Sequence, residues 1–127
     1  MINQERLVNA FCELVKIDSP SDEEEDVARH LTERLESLGF SVARDAHGNL
    51  IASEDGDDPL MLSAHMDTVE PGRSIKPQVD GDIIRSDGTT ILGGDCKAGV
   101  AAILEALVSA KEDDSPRRPA QVVFTRG

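Results

Sequence analysis

The sequence has few aromatic residues, few cysteines and few basic residues, and it lacks a long apolar segment. Its 127 residues include three Phe but neither Trp nor Tyr, so aliphatic side chains must form most of any core. With only two cysteines, Cys12 and Cys96, the chain cannot have a disulfide framework, and their spacing does not match a zinc motif. Cys12 is predicted to be a buried, unreactive thiol. No stretch approaches the roughly 18 apolar residues of a membrane span, and no basic-then-apolar signal segment is present. A cytoplasmic protein without membrane contact is expected.

Acidic residues outnumber basic ones. The chain has 25 Asp and Glu against 13 Lys and Arg, which gives a formal net charge of −12. A negative charge of this size argues against nucleic acids and anionic membranes as partners. Leu, Ile, Val and Phe still make up about 25% of the residues, above the roughly 20% below which strongly charged chains stay disordered. We therefore expect the chain to fold, and its length suits one domain.

Hydrophobic periodicity predicts three helices. Apolar side chains at helical spacing indicate a first helix from about Asn3 to Lys16, a second that Gly39 ends, and an Ala-rich third over 97–111. Ser21 and Glu24 stand three residues apart, which is the spacing of a capping box at the start of the second helix.

Alternating or mostly apolar runs predict strands at 40–43, 50–52, 60–64, 78–84, 89–92 and 122–124. The first two are predicted to form a hairpin around the turn His47-Gly48-Asn49. The run 60–64 is almost continuously apolar, which is typical of a strand covered on both faces, and 122–124 is predicted to be a further buried strand. Helices and strands in this order predict a layered α/β domain.

Of the three histidines, His65 is the candidate for chemistry. His30 is predicted on a polar helix face and His47 in a turn, whereas His65 follows a predicted strand and precedes Asp67 by two residues. Side chains at i and i+2 of an extended segment point the same way, here at the strand end where α/β sheets bind ligands. One ring nitrogen could bind a metal while the Asp67 carboxylate accepts a hydrogen bond from the other. A three-residue H-x-D pattern is nevertheless common by chance.

Asp95 is the second candidate, because it stands after Gly93 and Gly94 at the start of the Ala-rich helix. One interpretation makes Asp95 a helix N-cap. The other makes it a carboxylate whose two oxygens bridge two metal ions about 3.5 to 4 Å apart. Without the His65 and Asp67 pair upstream, the N-cap would be favoured.

Several stretches together resemble one family, the peptidase T-like (aminotripeptidase) branch of the co-catalytic zinc metallopeptidases and amidohydrolases. The resembling stretches are 5–8, 14–21, 62–72, 84–93, 95–102 and 123–125, in the family's order. They include Ala64-His65-Met66-Asp67-Thr68 and Gly93-Gly94-Asp95-Cys96-Lys97-Ala98-Gly99. The resemblance therefore covers nearly the whole chain.

The resemblance implies a site that holds two divalent metal ions, with zinc as the cofactor. His65 would be a ligand of one metal, Asp95 would bridge the pair, and Asp67 would support the site as a catalytic residue. The peptide bond after Asp95 is expected to be cis. Family members usually have an acid or an amide in the position of Cys96, which we therefore expect to be a tolerated neighbour rather than a ligand.

For fold and domains, the resemblance implies that residues 1–127 are the N-terminal portion of a layered αβα metallopeptidase catalytic domain with a mixed sheet. The family's Glu-Glu pair, which supplies the general base and a ligand, has no counterpart in the sequence, nor have the lid or dimerisation domain and the C-terminal part. We accordingly expect the chain alone to be inactive. We also expect self-association, as a homodimer or otherwise, through an edge exposed at 122–125.

The function implied by the resemblance is zinc-dependent hydrolysis of short peptides, with removal of the N-terminal residue. Two alternatives stay open. One is another amidohydrolase of the same family, of the acylamino-acid deacylase or carboxypeptidase type. The other is a non-catalytic truncated remnant that lacks the general base.

Overall fold

The computed structural model describes residues 1–114 and 116–126. The elements follow one another as α1 (Gln4–Lys16), α2 (Glu25–Ser37), β1 (Ser41–Arg44), β2 (Leu50–Ser53), β3 (Leu60–His65), β4 (Gln78–Asp80), β5 (Ile83–Arg85), α3 (Gly94–Asp113) and β6 (Ala120–Thr125). The three predicted helices and the β1–β2 hairpin are thus confirmed.

The four-stranded sheet has the order β1-β2-β6-β3. Strand β6 runs antiparallel to β2 and parallel to β3, so the sheet is mixed. Strands β4 and β5 form a separate antiparallel hairpin. Helix α3 packs on β3 and on α1, while α2 packs on β1 and β2. The fold is therefore the mixed α/β arrangement that the sequence predicts.

The core is aliphatic, as the lack of aromatic residues requires. Alternate residues of β6 are buried, and Phe124 on this strand is fully buried together with Leu14 of α1 and Leu104 of α3. An ion pair joins the same two helices, because Arg6 on α1 binds the buried Glu105 on α3. Within the described ranges, no helix combines the length and apolar character needed to cross a membrane.

The predicted capping box at the start of α2 is wrong. Glu24 occupies the N-cap position but its side chain makes no capping hydrogen bond to the helix. Its carboxylate instead accepts hydrogen bonds from the Asp22 amide and from Arg126. The Ser21 hydroxyl donates to Asp67, 46 residues further along the chain. Contacts to Arg126 and Asp67, far along the chain, and a local contact to the Asp22 amide therefore take the place of the capping box.

The predicted burial of the run 60–64 on both faces is also wrong, since β3 lies at the edge of the sheet. Within the described sheet its hydrogen-bonded neighbour is β6 alone, and Leu60 and Met61 are 49% and 61% exposed. Strand β6, by contrast, is paired on both sides. The edge expected at 122–125 is consequently found at β3.

The segment 89–92 does not form the predicted strand. Its backbone groups are bound elsewhere: the Thr89 amide donates to the Asp87 carboxylate at 3.0 Å, and the Ile91 amide donates to the Pro71 carbonyl at 2.9 Å. The segment is therefore a loop held by its own turn and by the loop around Pro71.

Exposure of the β3 edge leads to a prediction about self-association. We expect Met61→Lys to shift the chain toward monomer, because a charge on an edge strand opposes pairing with another strand. Sedimentation velocity over a range of protein concentrations measures this shift. Ile2→Lys is the matched control, because Ile2 is 54% exposed and lies outside every strand. Equal self-association of both variants would contradict the prediction that the chain self-associates through the edge strand β3.

Candidate metal centre

His65 is the last residue of β3, at the carboxyl end of the strand, and its side chain is 37% exposed. The next residue, Met66, is fully buried, and its amide donates to the Thr125 carbonyl of β6 at 2.9 Å. Nδ1 of His65 lies 2.9 Å from Oδ1 of Asp67 and 3.0 Å from the Asp67 carbonyl. The i, i+2 spacing has thus brought these two side chains together, as predicted.

Asp95 approaches the other side of the imidazole. Its Oδ1 lies 2.9 Å from Nε2 of His65. Gly93, the N-cap residue of α3, has a left-handed φ of 87°, and Asp95 and Cys96 have non-helical dihedral angles joined by a cis peptide bond, as the resemblance implies. The carboxylate of Asp95 therefore points at His65 instead of serving as the helix N-cap.

The imidazole of His65 is enclosed by carboxylates on both sides, and this governs its pKa. Burial by itself lowers the pKa, but the hydrogen bonds to Asp95 and Asp67 outweigh it and raise the pKa of His65 above its ordinary value of 6.5. Two carboxylates can both accept hydrogen bonds from one imidazole only when both ring nitrogens are protonated. The arrangement thus stabilises a positive charge on or beside the imidazole.

The donor set fits a zinc ion. A nitrogen of His65, a carboxylate oxygen of Asp95 and Sγ of Cys96 all lie within 4.8 Å of one another. Imidazole, carboxylate and thiolate are the zinc ligands found in proteins. Two atoms bound to one tetrahedral zinc are roughly 3.3 Å apart when each bond is about 2.0 Å, close to the observed separation of Nε2 and Oδ1. His65 and Asp95, the two metal ligands predicted from sequence, are therefore placed where one ion could bind both, and their roles remain predictions.

These residues line an open cleft of about 370 Å³. His65, Asp67 and Asp95 form its polar side, and Val69, Ile91 and Leu92 form its apolar side. The other two histidines are not among its lining residues: His30 is half-buried on α2, and His47 is exposed in the β1–β2 turn. The cleft thus combines a polar cluster with an apolar wall.

The connection between α1 and α2, defined here as residues 17–21, holds the strand-end half of the site. The buried hydroxyl of Ser19 donates to the Met66 carbonyl at 3.0 Å, and the Thr68 amide donates to the Ser19 carbonyl at 2.8 Å. The Ser21 hydroxyl donates to Oδ2 of Asp67 at 2.6 Å. Sequence reasoning missed Ser21 as a site residue because its spacing to Glu24 matched a helix cap.

The same connection also holds the start of α3. The ammonium group of Lys97 is buried and donates to the Ile17 carbonyl at 2.6 Å. Burial lowers the pKa of Lys97 to about 8, and the charge of Asp18 opposes this effect. The α1–α2 connection therefore fixes the position of Asp95 relative to His65.

The two hydrogen-bonded carboxylates predict how substitution changes the histidine. We expect Asp67→Asn to lower the pKa of His65, because the neutral amide no longer stabilises the imidazolium. NMR titration of the imidazole in the metal-free chain measures this pKa. Asp45→Asn, in the β1–β2 turn, serves as the control and should leave it unchanged. A His65 pKa that is the same in wild type and Asp67→Asn would contradict the geometry.

Lys97 predicts a pH-dependent stability. Its folded-state pKa of about 8 lies below the ordinary 10.5, so between these values the unfolded chain binds more protons. The free energy of unfolding of wild type should therefore rise with pH in this window, by up to about 3 kcal/mol relative to Lys97→Met. Urea denaturation at both ends of the window measures the difference. The Lys111→Met variant, which changes an exposed lysine, should show the same pH dependence as wild type. A difference in unfolding free energy between wild type and Lys97→Met that stays constant with pH would refute the prediction.

Two solved structures of peptidases match the chain closely. A tripeptidase from Staphylococcus aureus subsp. aureus Mu50 is 42% identical with a TM-score of 0.95, and the match covers 100% of this chain and 37% of that chain. Aminopeptidase PepT from Bacillus cereus ATCC 10987 is 43% identical with a TM-score of 0.94, over 99% of this chain and 37% of that chain.

A curated relative, the uncharacterized protein YqjE of Bacillus subtilis strain 168, is 38% identical over 138 residues, covering 100% of this chain. No protein-family model matches the sequence. The chain spans about 37% of the length of each of these three relatives. In sequence and in fold, it corresponds to the N-terminal portion of a peptidase T-like protein.

Proposed function

We propose that this chain supplies the metal-binding half of a zinc-dependent peptidase that removes the N-terminal residue from short peptides. The observation that carries the proposal is the His65 imidazole between the Asp67 and Asp95 carboxylates, at the strand end that opens into the cleft. Peptide hydrolysis is supported by the relatives, which include a tripeptidase and an aminopeptidase. A cytoplasmic location is part of the proposal.

In this proposal, His65 and Asp95 bind the metal and Asp67 orients His65. By accepting a hydrogen bond from the N–H at Nδ1, Asp67 fixes the tautomer whose Nε2 is free to be a ligand. A bound zinc supplies a Lewis acid that polarises the peptide carbonyl. The side chain of Asp95 is 96% exposed, so its second carboxylate oxygen is accessible to a second ion. The apolar wall of Val69, Ile91 and Leu92 would contact a side chain of the peptide.

Residues 1–127 are expected to be insufficient for turnover. A general base that takes a proton from water and returns it to the leaving amine is worth typically about 10² to 10⁴ in rate. Asp67 is engaged with His65 and Ser21, and Asp95 is a proposed ligand, so neither is free to be that base. Among the described residues that line the cleft, no other side chain is a carboxylate that could be that base.

The experiment is a chimera in which residues 1–126 replace the corresponding segment of the Staphylococcus aureus tripeptidase. We expect the chimera with zinc to release the N-terminal residue of a tripeptide and His65→Ala to abolish this release. His47→Ala, at an exposed turn, should retain it. Residues 1–127 alone should show none.

The substrate choice separates the alternatives. N-acylated amino acids and peptides with a blocked N-terminus are offered to the same chimera. Faster hydrolysis of an acylated amino acid than of the tripeptide would favour the deacylase alternative. Equal tripeptide hydrolysis by the His65→Ala and His47→Ala chimeras would overturn the proposed site.

A further inference from the structure

Cys96 lies beside the two proposed ligands, although its position in the sequence suggests only a neighbour. Its half-buried sulfur is one of three donor atoms, with a nitrogen of His65 and a carboxylate oxygen of Asp95, that lie within 4.8 Å of one another. Among the described residues, this is the one group of three such donors that close together. The sulfur thus belongs to the donor cluster itself.

The helix makes room for this sulfur at Gly99. A Cβ atom built at Gly99 would lie 2.7 Å from Sγ of Cys96, closer than real Cβ contacts allow. Glycine in a helix interior costs roughly 0.5–1 kcal/mol relative to alanine. A glycine is found at position 99, one turn after Cys96, because the sulfur occupies the space that a larger side chain would need. Gly99 therefore leaves room for Sγ beside the donor cluster.

The distances are within reach of one zinc ion. Zinc binds sulfur at about 2.3 Å and nitrogen or oxygen at about 2.0–2.2 Å, so sulfur and nitrogen ligands of one tetrahedral ion are roughly 3.6 Å apart. A movement of about 1 Å by the thiol would close a separation of at most 4.8 Å. Rotation of the Cys96 side chain provides a movement of this size.

We propose that Cys96 is the third protein ligand of the metal in this chain, completing a His65, Asp95 and Cys96 set. The proposal rests on the proposed function in that the cleft must hold a metal. The thiol gives its proton to solvent as the sulfur–metal bond forms. This donor set favours zinc over magnesium or calcium, which take oxygen ligands. It also gives residues 1–127 the three protein ligands that a catalytic zinc site usually has.

The test uses Co²⁺ as a spectroscopic substitute for zinc in the full 127-residue chain. A cobalt–thiolate bond produces an intense charge-transfer band in the near ultraviolet, which nitrogen and oxygen ligands do not produce. The second cysteine, Cys12 on α1, lies outside the donor group and provides the matched control. We expect the band in wild type and in Cys12→Ser, and its loss in Cys96→Ser.

Affinity should change in parallel. Loss of a residue that is hydrogen-bonded to a metal ligand typically weakens metal binding by about 10- to 100-fold. Loss of a ligand itself should cost at least as much, so Cys96→Ser should weaken Co²⁺ binding by at least about tenfold. Binding without a thiolate band, or a band that survives in Cys96→Ser, would overturn the proposal and leave the His65 and Asp95 site standing. Absence of any Co²⁺ binding by wild type would overturn both.

A second measurement does not depend on the folding of the Cys96 variant. In Cys12→Ser, the thiol of Cys96 is the only one in the chain. We expect zinc to slow its alkylation by iodoacetamide and the His65→Ala change to remove that protection. Equal alkylation rates with and without bound zinc would refute ligation by Cys96.

Discussion

The hydrogen bonds of one imidazole to two carboxylates are the constraint on which the site depends. They join the end of β3 to the start of α3, two segments 30 residues apart in sequence. Their geometry is maintained by the α1–α2 connection, which binds Asp67 through Ser21 and the first regular turn of α3 through Lys97. The connection thus explains why a serine and a lysine are found beside the site without being ligands.

The same arrangement couples metal binding to protons. In the protonated ring of the metal-free chain, Nε2 of His65 donates to Asp95, and a metal ion bound at Nε2 would have to displace that proton. Because the pKa of His65 is raised, the proposed metal binding should strengthen with pH until the ring is deprotonated. The net charge of −12 favours the approach of cations over the whole surface, so the site is distinguished by its ligands and not by its charge.

Local patterns predicted the features that depend on local physics. The helical stripe of α1, the Ala-rich α3 and the β1–β2 hairpin follow from periodicity and turn residues, and the pairing of His65 with Asp67 follows from strand geometry. Strand order could not be predicted from local patterns, because strand pairing depends on long-range contacts. This is why the edge position of β3 in the described sheet was missed: its sequence is apolar, as in a central strand. The Ser21 contact and the approach of Cys96 to the cluster also arise only when distant segments meet.

The position of a bound zinc ion tests the proposed metal site most directly. Crystals of the chain soaked in zinc, with the ion located by anomalous scattering, would separate a built site from ions attracted by surface charge. We expect a zinc ion bonded to both Nε2 of His65 and a carboxylate oxygen of Asp95, with Asp67 still hydrogen-bonded to Nδ1. Zinc found only on the acidic surface, with the His65 to Asp95 hydrogen bond intact, would contradict it.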